Sequence, residues 1–123
     1  MNLIDRWNAW RANLAAERTA NAEIVRFTDS GLECVKRGRP SFVAWSAIER
    51  VVAVAASEGE PLMLLVFVPR DVVLVADDAP AFAPLGAALA RSLPGASPPE
   101  RWHAELAAGA PEVDVYPRPQ AVP

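Results

Sequence analysis

Chemistry-bearing side chains are scarce in this chain of 123 residues, which holds one cysteine, Cys34, one histidine, His103, and one lysine, Lys36. A single cysteine excludes an intrachain disulfide and any cysteine-rich zinc site, and it fits a reducing compartment such as the cytoplasm. Cys34 and His103 fall on different segments, so the chain shows no pattern for nucleophile–base catalysis, which needs both groups within hydrogen-bond reach. No apolar run approaches the roughly 18 residues that cross a bilayer. Asp5 and Arg6 interrupt the start and argue against a signal peptide. A net charge of −3 gives the whole molecule no attraction for nucleic acid or anionic lipid.

What is present is the composition of a globular domain, with 52% hydrophobic and 22% charged residues. Abundant Ala, Pro and Arg beside one Lys point to a GC-rich bacterial genome. Residues 2–18 carry Leu3, Trp7, Trp10 and Leu14 at helical spacing, with Asp5, Arg6, Arg11 and Glu17 elsewhere on the wheel. From Glu23 the period becomes two. Val25 and Phe27 share one face, Asp29-Ser30-Gly31 supplies a turn, and Leu32–Lys36 follows. After a second turn, Arg37-Gly38-Arg39-Pro40, the run Ser41–Trp45 reads as a third strand. Ser46-Ala47-Ile48-Glu49 has capping-box spacing and predicts one helical turn.

Three more strands are predicted at Val51–Ala56, Leu62–Val68 and Val72–Ala76. The middle one, apolar at every position, is expected to be the most buried. Asp77 and Asp78 read as caps of a helix over about 79–93, whose stripe is Phe82, Leu85, Leu89 and Leu93. Ser97-Pro98-Pro99-Glu100 repeats the capping-box spacing ahead of Trp102 and Leu106, and Val113–Tyr116 reads as a last strand. The expectation is one α+β domain over 1–116, with a bent antiparallel sheet of six to seven strands. An N-terminal helix, a covering helix and a short late helix complete it, and 117–123 is a Pro-rich tail.

Over about 23–93, the order of strands, the Trp45-Ser46-Ala47-Ile48 turn, three further strands and a covering helix resembles the bacterial pleckstrin-homology-like (PH-like) domains. Phe42–Ile48 followed by Val51 and Val52 carries that resemblance. Leu93-Pro94-Gly95 ahead of Trp102 is similar to a feature of uncharacterised bacterial proteins of this size. The resemblance implies a strongly bent antiparallel sheet closed at one end by a C-terminal helix. This chain departs from it in the aromatic N-terminal helix and in everything after residue 96.

Each candidate site has a plainer reading. Cys34 alternates with Leu32 and Lys36 and reads as a small buried hydrophobe, while His103 reads as a surface or half-buried residue. Asp77 with Asp78, or Glu58 with Glu60, falls short of the several convergent oxygens that a hard cation needs. Neither a metal nor a cofactor is expected. Lys36, Arg37 and Arg39 form the only dense basic cluster, one turn later than the loop in which phosphoinositide-binding PH domains hold their cations. Trp7 and Trp10 put a large apolar area on one face that has to be covered, by the chain's own sheet or by a partner. The residues favour a non-catalytic protein-interaction module, a homodimer among its forms, with Trp7, Trp10, Lys36, Arg37 and Arg39 as contacts. Two alternatives stand beside it: a binder of a small apolar ligand or lipid between sheet and helix, and an immunity protein for a toxin resting on the acidic balance.

Overall fold

The structure is a computed structural model that describes residues 23–36, 38–55, 62–69 and 71–117. The expected N-terminal helix, Trp7, Trp10, Arg37 and residues 118–123 lie outside the described residues.

Strands β1 (Glu23–Phe27), β2 (Gly31–Lys36) and β3 (Arg39–Ala44) form an antiparallel three-stranded sheet in that order. Alternation along β2 drives Leu32 and Cys34 into the core and leaves Glu33 and Val35 on the outer face. Leu32 faces Val43 across the β2–β3 ladder, so both strands bury the same side. Gly31, the last residue of the first turn, meets β3 so closely that a Cβ there would lie 2.1 Å from the Val43 carbonyl oxygen. Only glycine fits that approach.

A short 3-10 turn, Trp45–Ala47, follows β3. It comes two residues earlier than the Ser46 capping pattern implies, with Ala44 as its N-cap and no side-chain cap. Trp45 is instead the anchor. Its indole Nε1 donates to the Thr28 carbonyl at 3.0 Å and its backbone N–H to the Ser30 carbonyl at 3.1 Å, fastening the turn to the β1–β2 hairpin. The Thr28 hydroxyl organises the other side of that hairpin turn by accepting from the Gly31 N–H at 3.1 Å.

Strands β4 (Arg50–Val54), β5 (Met63–Val68), β6 (Asp71–Ala76) and β7 (Glu112–Tyr116) form a second antiparallel sheet, ordered β6-β5-β4-β7. The seven strands therefore divide into two sheets, where one bent sheet is expected from sequence. β5 is interior and buried at Met63–Phe67, as its unbroken apolar run requires.

Helix α1 (Phe82–Ser92) and helix α2 (Pro99–Ala107) lie over one face of the second sheet. Phe82, Leu85, Ala88, Leu89, Trp102 and Leu106 pack there with Val51, Ala53, Leu64 and Val66, and the inner face of the first sheet joins the same core through Leu32, Cys34 and Val43. Gly86 brings the helices together, because a Cβ at that position would stand 3.3 Å from Pro99 and 3.4 Å from the Trp102 ring.

Neither helix uses its expected cap. α1 starts at Phe82 behind Ala81, and Asp77 and Asp78 stay in the exposed turn after β6. Pro80 and the tight turn closed by Phe82 N–H to Ala79 C=O at 3.0 Å delay the helix beyond their reach. α2 has Pro98 as N-cap and Pro99 at its first position, without a bond from the Ser97 side chain. Ser97 is buried, and its N–H donates to the Val115 carbonyl at 2.8 Å, so its backbone is committed to β7. At the far end of α2, Gly109 takes φ +110°. There the Gly109 N–H donates to Leu106 and the Ala110 N–H to Glu105, the pair of bonds that ends a helix and reverses the chain.

Gly31→Ala should lose about 3 kcal/mol or more, because backbone rather than a pliable side chain stands in the way of the new methyl. Trp45→Phe keeps most of the apolar contact but removes one half-buried hydrogen bond, and should cost about 1–2 kcal/mol. Denaturant unfolding of both variants checks the order, and a Trp45→Phe cost near zero would mean that Trp45 acts through ring packing alone.

Candidate interaction surface

The outer face of the three-stranded sheet carries the most exposed large apolar side chains among the described residues, Val25 at 64% and Phe42 at 52%. Register explains both. A bulge between Ile24 and Arg26 shifts β1, so Ile24 and Phe27 pack against the core while Val25 points out. The sequence alternation that puts Val25 and Phe27 on one face is broken by that bulge. Phe42 pairs with Glu33 and Pro40 with Val35, which sets all four on the side opposite Leu32, Cys34 and Val43. Val25, Glu33, Val35, Pro40 and Phe42 line a shallow groove of about 470 Å³.

One ion pair lies on this face. Arg26 and Glu33 are directly opposite across β1–β2, and Arg26 Nε donates to Glu33 Oε2 at 2.6 Å. That hydrogen bond, then the charge of Glu33, raises the Arg26 guanidinium above its ordinary value. At one end of the groove lies the basic turn. Lys36 ends β2 opposite Arg39, Gly38 between them has φ +75°, and Arg39 is exposed. Lys36 and Arg39 thus stand opposite each other in the β2–β3 register, while Trp7, Trp10 and Arg37 lie outside the described residues. Sequence reasoning missed Val25 and Phe42. Pro40, a residue confined to strand edges, was the one signal that this sheet ends at β3.

The remaining candidates do not converge. Cys34 is buried on β2, whereas His103 is exposed on α2 and stacks on Trp102 with ring centroids 4.0 Å apart. Among the described residues, no group of three or more His, Cys, Asp or Glu side chains could hold a metal ion. No helix among them is long and apolar enough to cross a membrane. Between the second sheet and its helices, Leu85, Ala88, Leu89 and Trp102 pack into the core. Trp102 Nε1 is buried there without a hydrogen-bond partner, and the Trp102 and Phe82 rings form a T-shaped contact with centroids 6.1 Å apart. A second ion pair joins the strands of the four-stranded sheet, where the Arg50 guanidinium grips the Asp114 carboxylate from β4 to β7.

The chain matches no family model, no curated protein and no solved structure.

Because Arg50 and Asp114 are each about one-third exposed (37%), their coupling should be modest. A double-mutant cycle of Arg50→Ala and Asp114→Ala, read by denaturant unfolding, should give about 0.5–1 kcal/mol at low salt. The value should shrink in high salt.

Proposed function

We propose that this protein is a non-catalytic protein-interaction module that self-associates through the outer face of its three-stranded sheet. One observation carries the reading: Val25 and Phe42 stand exposed on a face where Val35 and Pro40 extend the apolar patch. Exposed apolar area of this kind, rimmed by charge, is characteristic of contact surfaces. A second copy of the chain is the occupant that the charges favour. The face carries opposite charges in Arg26 and Glu33, so a two-fold arrangement can set each arginine near the other copy's glutamate.

The PH-like reading of the architecture belongs here too. An antiparallel meander of three strands, a short turn at Trp45, three further strands and then a helix over the core support it. β7 is the departure, since it returns after two helices to pair with β4. A reducing cytoplasm is the compartment that suits the single, buried Cys34.

Light scattering during size exclusion, run across a range of concentrations, tests the self-association. The wild type should form a dimer, and Phe42→Asp and Val25→Lys should each weaken it at least about tenfold, a loss of roughly 1.4 kcal/mol, with unfolding midpoints unchanged at concentrations where the wild type is monomeric. A wild type that stays monomeric at every concentration, or a dimer indifferent to both substitutions, overturns the reading. Two variants on different strands guard against either one failing to fold.

A further inference from the structure

The second face of the four-stranded sheet is closed although none of the described elements closes it. Val52, Val54, Met63, Leu65, Phe67, Val72, Leu74 and Ala76 form a separate apolar cluster, each between 0% and 8% exposed. All eight come from β4, β5 and β6, and no residue of β1–β3, α1 or α2 belongs to the cluster. The ladders arrange them in rows: Ala76 beside Met63 beside Val54, then Leu74 beside Leu65 beside Val52. Side chains on an open sheet face keep a substantial part of their surface in water, so burial this complete requires a lid.

Only one stretch of chain outside the described residues suits the task. Residues 56–61 are Ala-Ser-Glu-Gly-Glu-Pro and residues 118–123 are Arg-Pro-Gln-Ala-Val-Pro, both short and poor in large apolar groups. The stretch 1–22 instead contains Leu3, Trp7, Trp10 and Leu14 on one helical stripe, and it enters β1 at Glu23. The dimensions agree as well. Three strands span about 10 Å and three rows about 14 Å, which one helix of about 10 Å diameter covers. Charge gives the stripe a preferred side: Arg11 and Arg18 fall on one flank at helical spacing, and β7 sets Glu112 on this sheet face beside the Arg50–Asp114 pair.

We infer that residues 2–18 of the same chain dock as an amphipathic helix on the β4–β5–β6 face, with Trp7 and Trp10 over Val52, Leu65 and Leu74. The tryptophans then serve as core of their own molecule, and any self-association passes to the opposite sheet. This placement is independent of the Phe42 surface, because it uses the other sheet and a different readout.

Nuclear Overhauser measurements on the full-length protein test it. Cross-peaks should connect the indole protons of Trp7 and Trp10 to methyl groups of Val52, Leu65 and Leu74. They should vanish from the isotope-filtered spectrum of a mixed labelled and unlabelled sample, which reports contacts between copies only. Trp10→Phe, which keeps a ring in place, should shift those methyls while leaving Leu64 and Val66 on the opposite face unmoved. Missing cross-peaks, cross-peaks found only between copies, or shifts concentrated at Leu64 and Val66 each overturn the inference.

Discussion

Both faces of β5 have to be dry, and most of the architecture answers that demand. A strand reading Met-Leu-Leu-Val-Phe-Val has no polar position to turn to water, so it sits inside the sheet with β4 and β6 as hydrogen-bonding neighbours. Leu64 and Val66 then require one cover and Met63, Leu65 and Phe67 another. The first cover is a composite of α1, α2 and the inner face of the smaller sheet, which explains why a chain of this size carries so many elements around one strand. Each fully buried side chain of this type contributes about 1.5–3 kcal/mol, so leaving either face open would erase much of a marginal stability.

The smaller sheet is subordinate to that core and is fastened by unusual means. Trp45 is the link: a large ring in the core, its indole N–H on the first hairpin, its backbone at the corner where β3 gives way to β4. Gly31 lets the hairpin lie flat against β3 at the same corner. One face of the sheet is thereby committed to the interior, which leaves the other, with Phe42 and Val25, as its contribution to the surface.

Much of this was legible in the sequence, because strand position follows the apolar pattern. The seven strands lie within a few residues of their expected places, and the run Leu62–Val68 announced its own burial. Caps were misread in all three instances. Ser, Asp and Glu at cap spacing are common in any turn, and proximity along the chain could not reveal that Pro80 postpones α1 or that the Ser97 N–H is already held by Val115. The site was harder still. Val25 became visible as a surface residue only once the bulge in β1 reversed its direction, and a bulge leaves no mark in an apolar–polar pattern. The division of the strands into two sheets was hidden too, since it depends on which strand β7 selects after two helices.

That selection also orders events in time. β7 pairs with β4 across some sixty residues of intervening chain, and the Arg50–Asp114 bridge spans 64 positions. A chain emerging from the ribosome therefore carries an unpaired edge on β4 until the residues after Gly109 have been made and turned back. Of the strands that end with two neighbours, β4 waits longest for its second, because that neighbour begins only beyond the helix-ending turn at Gly109.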